Sequence, residues 1–304
     1  MLTRRHILVA AAAALAAPLA PRRIWAGTSL AFGGMRIDTL SDGHLVLPVD
    51  FTFGDLAGDE VAALLARHGM PADQMTPPCN VTLLRDGTNT VLFDVGSGPD
   101  FMPTAGKLAE ALAALDLAPE DVTHVVFTHA HPDHIWGLLD EFDEPLFPAA
   151  EHAIGAVEHA YWTDPATVDT IGEARATFAI GAARRLEAVA DSIRLLEDGE
   201  EVLPGLTARL TPGHTPGHMA FELRSDAGAA MVVGDAIGNH HIAFERPDWA
   251  SPSDQDPPLA AATRVALMER LAAEGMPMIG YHLPGGGIGR VVKAGDAWRF
   301  EEME

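Results

Sequence analysis

Short β-rich apolar runs alternate along this chain with longer stretches of helical spacing. Cys79–Arg85 and Thr90–Val95 flank Asp86-Gly87-Thr88-Asn89, whose Asp-Gly pair marks a hairpin turn. Gly106–Leu117 has helical spacing and is stopped by Pro119, and Val122–Thr128 has the length and β-branching of one buried strand. A helix is predicted over Ala166–Ala190, then strands at Ile193–Leu196, Leu206–Leu210, Met219–Leu223 and Met231–Val233. Pro258–Glu274 reads as an amphipathic helix with Ala261, Val265, Leu267, Met268 and Leu271 inward, before closing strands at Met278–Tyr281 and Ile288–Val292. No low-complexity linker or short repeat interrupts residues 27–304. The pattern predicts α+β architecture, sheets covered by helices in one layered domain.

Residues 1–26 break the pattern. They hold no acidic residue, open with Arg4-Arg5, and continue into the alanine-rich apolar stretch Ile7–Ala20. That stretch is shorter than the roughly 20 residues of a membrane span. A basic start, a short apolar middle and small residues at Ala20 or Ala26 describe an export signal. Thr3-Arg4-Arg5-His6-Ile7-Leu8 resembles the twin-arginine type, so the expected destination is the periplasm, with no stable membrane insertion after signal removal.

Composition narrows the partners. The chain has 304 residues and a formal net charge of −23, which repels phosphate backbones and excludes nucleic acid as the expected partner in favour of a small molecule. The single cysteine, Cys79, excludes an intrachain disulfide, while histidines number 14. Any bound metal is therefore expected to take nitrogen and oxygen ligands. The oligomeric state has no signature here.

Chemistry concentrates in Thr128-His129-Ala130-His131-Pro132-Asp133-His134, placed where the Val122–Thr128 strand ends. Side chains repeat every two residues on an extended segment, so His129 and His131 point the same way. The turn at Pro132 then brings Asp133 and His134 to a neighbouring point. These residues can hold two cations close together. Downstream, Thr211-Pro212-Gly213-His214-Thr215-Pro216-Gly217-His218 has the punctuation of a rigid loop. Asp235 ends one apolar strand and His282 another.

With these motifs the sequence resembles the metallo-β-lactamase-fold hydrolases over roughly residues 36–294. The resemblance implies an αββα sandwich holding two divalent metal ions, Zn(II) first. It implies His129, His131 and His214 at one metal, Asp133, His134 and His282 at the other, and Asp235 bridging both. Asp94 resembles the buried aspartate that supports a ligand from behind, and His218 is read the same way. An aspartate bridge is shared by glyoxalase-II-like thioesterases, lactonases and the methyl-parathion-hydrolase group, and the export signal and Tyr281-His282-Leu283-Pro284 look most like the last two. The implied reaction is attack of a bridging hydroxide on a lactone, aryl ester or organophosphate triester, with Asp133 and Asp235 as the catalytic carboxylates.

Two departures bear on the substrate. Lactonases of this type carry a tyrosine three residues after the bridging aspartate, where this chain has Gly238. His240, His241 and Tyr281 are the candidates to replace it near the site, and Trp162, in a segment that resembles one placing an aromatic by the pocket, is expected as a substrate wall. After Pro284 comes Gly285-Gly286-Gly287, predicting a small-walled or mobile pocket mouth. The rival readings are a glyoxalase-II-type thioesterase, an iron oxidoreductase on the same fold, and a non-catalytic metal-binding protein.

Overall fold

The computed structural model describes residues 26–56 and 58–303. The export signal expected over 1–26 lies, apart from Ala26, outside the described residues. Alternation along the strands sorts the apolar side chains into three layers. In Gly228–Gly234, Ala230 and Val232 face one core while Met231 and Val233 face another. In Thr90–Phe93, Val91 and Phe93 join the first of these cores while Leu92 faces a third. Each such buried side chain contributes roughly 1.5–3 kcal/mol.

The sheets that result each follow chain order. One contains β1 (Ala26–Phe32), β2 (Met35–His44), β3 (Pro78–Arg85), β4 (Thr90–Phe93), β5 (His124–Val126), β6 (Glu151–Gly155) and β7 (Arg194–Leu196). The other contains β8 (Glu201–Leu203), β9 (Leu206–Leu210), β10 (Met219–Ser225), β11 (Gly228–Gly234), β12 (Pro277–Gly280), β13 (Ile288–Ala294) and β14 (Ala297–Glu302). Phe93 and Phe221 meet between the sheets with ring centroids 5.4 Å apart. Helices α1 (Ala156–Thr163) and α2 (Ala176–Ala188) cover the outer face of the first sheet, and α3 (Pro257–Glu274) covers that of the second. The result is the αββα sandwich.

Two places in this sandwich matter for function. β4, β5 and β6 run parallel, as do β11 and β12, and open crevices form beyond the carboxyl ends of such strands. Asp94 follows β4, His129 follows β5, Asp235 follows β11 and His282 follows β12, so both sheets deliver chemistry to one edge. The Met219 amide donates to the Thr128 carbonyl at 2.8 Å and joins the sheets there.

The structure corrects the predicted helix over 166–190. It is interrupted after Thr167–Thr170 by Gly172, whose φ of 96° is left-handed, and α2 starts only after the turn Glu173–Arg175. The Gly285–Gly287 run is corrected too: it does not wall the cavity. A Cβ on Gly287 would lie 2.0 Å from the Gly280 carbonyl oxygen, so this glycine allows close packing against β12, while Gly285 packs on Glu302 and Gly286 on Thr28. Among the described residues no helix is long and apolar enough to cross a membrane.

Candidate metal centre

His129 leaves the end of β5 with its side chain fully buried, and Pro132 starts the short helix Pro132–Ile135 that turns Asp133 and His134 inward. The Gly-Pro loop after β9 brings His214 up to His131, with His214 Nε2 and His131 Nδ1 3.0 Å apart. Asp235 enters between them: its carboxylate lies 3.4 Å from His214 Nε2, 3.4 Å from His134 Nε2 and 3.3 Å from His282 Nε2. Asp133 Oδ2 lies 3.1 Å from His282 Nε2.

Most of these imidazoles are fixed from behind, which leaves Nε2 pointing inward. His134 Nδ1 donates to Asp94 Oδ2 at 2.8 Å, and Asp94 also accepts from the Thr128 amide and hydroxyl, both at 2.8 Å. Asp94 holds a left-handed φ of 66°, a conformation an L residue adopts only when its surroundings compel it. His282 Nδ1 donates to the Pro78 carbonyl, and His214 Nδ1 to Asp254 Oδ1, at 2.8 Å each. Asp254 in turn accepts from Arg264 at 2.9 Å. His218 accepts the Asp235 amide at Nε2, and burial lowers its pKa to about 3, keeping the ring neutral as that acceptor role requires. The structure thus brings together His129, His131, Asp133, His134, His214, Asp235 and His282, with Asp94 and His218 behind them.

The donor set fits divalent cations. His129 Nε2, His134 Nε2, Asp133 Oδ2 and Asp235 Oδ1 are buried with no hydrogen-bond partner, an arrangement that folded proteins seldom leave unanswered and that a cation would satisfy. Three groups of donor atoms each lie within 4.8 Å of one another: His129, His131 and His214; His129, His134 and Asp235; and Cys79, Asp133 and His282. Burial opposes charge throughout, yet at His134 the surrounding Asp235, Asp133 and Asp94 outweigh it and raise the imidazole pKa well above its usual value. At Asp235 burial is likewise overcome, by His282 and His134, and the carboxyl falls well below its usual range. The carboxylates thus favour positive charge at this place, which a bound cation would supply.

Several expected roles move. Trp162 is 1% exposed and lies in the core, its indole N–H donating to Glu158 Oε1 at 2.6 Å, so it is no substrate wall. His241 stacks on His68 at 4.6 Å, away from the cavity. Tyr281 is buried as well: its hydroxyl donates to the Asp133 carbonyl at 2.6 Å and its ring covers His134 at 3.9 Å, so it positions both residues instead of meeting substrate. Cys79 places a sulfur within 4.8 Å of the Asp133 and His282 donor atoms, beside the expected nitrogen and oxygen set. Its thiol is pushed up to about 12 by burial.

Two supporting acids escape sequence reasoning. Asp254 sits in a loop with no motif. Glu158, fully buried, accepts from the Ala130 amide at 3.0 Å, Thr215 Oγ1 at 2.7 Å and the Gly217 amide at 3.0 Å besides the Trp162 indole, clamping the two ligand loops together. A Cβ on Gly217 would lie 2.0 Å from the Glu158 amide nitrogen, so glycine is what lets that loop approach.

Before the centre lies a cavity of about 360 Å³. His131, Asp133, His214, Asp235 and His282 form its floor, Phe51, Phe101, Met102 and Phe178 stand in its walls, and Asn239 lines it beside Gly238.

The metallo-beta-lactamase superfamily profile matches residues 76–277. An uncharacterized protein of Mycobacterium tuberculosis is 30% identical over 194 residues, covering 62% of this chain and 79% of its own. The hydroxyacylglutathione hydrolase of Methylococcus capsulatus is 29% identical over 160 residues, 52% of this chain and 50% of its own. Among solved structures, the dizinc quorum-quenching lactonase AidC, in complex with its product N-hexanoyl-L-homoserine, superposes with a TM-score of 0.85 at 24% identity, covering 92% of this chain and 99% of that one.

Proposed function

From the premise that the chain belongs to the metallo-beta-lactamase superfamily, whose members are generally hydrolases, we propose that it is a dinuclear metal-dependent hydrolase of carboxylic ester bonds, lactones included. The observation that carries this is the convergence of Asp133, Asp235, His131, His214 and His282 on the floor of a largely apolar cavity. His129, His131 and His214 would hold one divalent cation, Zn(II) first, and Asp133, His134 and His282 the other, with the Asp235 carboxylate set among His134, His214 and His282. Bound there, the cations supply Lewis acidity and lower the pKa of water towards neutrality.

The chain's own residues do the rest. Arg264 and Asp254 keep His214 turned inward, and Asp94 and Tyr281 do so for His134. The apolar walls take the acyl or aryl body of the substrate and exclude bulk water. Asp133 or Asp235, both ionised, takes up the proton released during attack at an Oδ atom and returns it to the leaving alcohol. With Gly238 in place of a tyrosine, the Asn239 amide is the side chain at hand for the developing oxyanion. An exported destination rests on the Arg4-Arg5 segment alone.

A lactonase of the same fold with zinc and an acyl-homoserine product supports this reading. The hydroxyacylglutathione hydrolase relative favours a second one, a thioesterase. We expect the zinc-loaded protein to turn over an N-acyl homoserine lactone at least about tenfold faster, in kcat/KM, than an S-acyl glutathione or an aryl dialkyl phosphotriester. A factor of ten is about 1.4 kcal/mol of transition-state binding. Faster thioester turnover would make it a thioesterase, and faster phosphotriester turnover would refute a carboxylic-ester hydrolase.

A further inference from the structure

The cavity before the metal centre contains two arginines, and they differ in what occupies them. Arg264 is ion-paired and buried: it donates to Asp254 at 2.9 Å and to the Pro247 and Trp249 carbonyls at 3.2 and 3.1 Å, and its remaining Nε is sealed from solvent. Arg175 donates through Nη2 to the Pro252 and Ser253 carbonyls, at 2.8 and 2.9 Å, and its Cζ lies 5.9 Å from the Phe51 ring centroid. These contacts pin one side of the guanidinium. Among the described residues its Nε and Nη1 have no partner, no carboxylate lies within ion-pair distance, and neither nitrogen is sealed from solvent.

This arginine is present because of the helix break at Gly172, which starts the turn Glu173–Arg175 that brings it to the cavity. It lines the same cavity as His131 and as Phe178, whose ring centroid lies 6.0 Å from that of His131. Of the acids lining the cavity, Asp254 is held by Arg264 and His214 and Asp133 and Asp235 by the histidines, so this half-buried cation, with no acid at ion-pair distance, favours an added anion. A guanidinium offers a carboxylate two parallel N–H donors, and charge-assisted bonds of that kind are about twice as strong as neutral ones. The chain's net charge of −23 repels anions at long range, so any preference for one must come from a local donor.

We infer that Arg175 is a specificity residue that binds a carboxylate on the substrate, so that the pocket selects apolar esters or lactones carrying an anionic group away from the scissile bond. The inference rests on the hydrolase reading above and deepens it.

The test compares two 4-nitrophenyl esters with the same scissile bond: the mono-ester of adipic acid, with its free carboxylate, and the matching terminal carboxamide. The zinc-loaded wild type is expected to prefer the acid by about tenfold in kcat/KM. Arg175→Met brings that ratio close to one, and Arg175→Lys keeps part of it. A merely structural role, through the Pro252–Ser253 loop, would lower both esters alike and leave the ratio standing, which overturns the inference. So does a wild type without preference. If neither ester is cleaved, the ester-hydrolase reading fails, and calorimetry with 6-phenylhexanoate and 6-phenylhexanamide reads the anion claim by itself. Binding of the acid about tenfold weaker in Arg175→Met, with a smaller change for the amide, supports it, and equal acid binding in both proteins overturns it.

Discussion

Asp235→Ala is expected to lower kcat/KM by about a thousandfold or more and to reduce the metal held by the folded chain. The Asp235 carboxylate lies 3.3–3.4 Å from His134, His214 and His282, imidazoles supplied by three different segments. No other acid takes that place: Asp133 faces His282 and His134, Asp94 lies behind His134, and Asp254 lies behind His214. Without Asp235 no carboxylate would join His214 to His134 and His282, since Asp133 reaches only the latter two, and the two cation positions would repel. A metal-storage protein would lose affinity without losing any turnover. Measuring kcat/KM and metal content on the same Asp235→Ala preparation separates the two cases, and activity within tenfold of wild type would contradict the assignment.

Glu158→Ala should be the largest loss of stability that a single change near the site produces, about 4 kcal/mol, although Glu158 touches no predicted ligand side chain. Its carboxylate collects the Ala130 amide, the Gly217 amide, the Thr215 hydroxyl and the Trp162 indole in a place fully shielded from water. Burial raises its pKa, while these four donors favour the ionised form. Deleting the side chain leaves the donors unsatisfied, at about 1–3 kcal/mol each, with water or local collapse recovering part. Ala130 lies between His129 and His131, and Gly217 lies in the His214 loop, so metal affinity should fall along with stability. Glu158→Gln keeps the volume but turns an amide N–H₂ towards donors, so it should fall between wild type and alanine. Thermal denaturation checks this. A drop of about 10 °C is expected for the alanine variant, and one under about 2 °C would mean the clamp is not needed.

The two variants also mark how far the sequence could be read. Asp235 is legible because a chain with a single cysteine draws its metal ligands mainly from His, Asp and Glu, and because it follows an apolar strand, and both features leave a local trace. His129–His134 and the Gly-Pro loop with His214 are legible for the same reason. Strand alternation is local as well, so β9–β13 and α3 appear within a few residues of their observed bounds. Glu158, Asp254 and Arg175 act at long range instead. Glu158 joins segments whose residues lie 28 and 57 positions away, and Asp254 reaches His214 across 40. Their roles exist only once the sheets have brought those segments together. Trp162 is expected as a wall from its resemblance to a pocket segment, and Tyr281 as a stand-in for the tyrosine missing at Gly238, but packing turns both inward, where they brace the site.

The metal content of the wild-type chain, purified whole and dialysed against zinc-free buffer, tests the central claim most directly. Two zinc ions per chain, falling to one or fewer in Asp235→Ala, is the predicted result. A wild-type chain that keeps no metal, or that is fully active after every ion has been stripped, would contradict a dinuclear hydrolase.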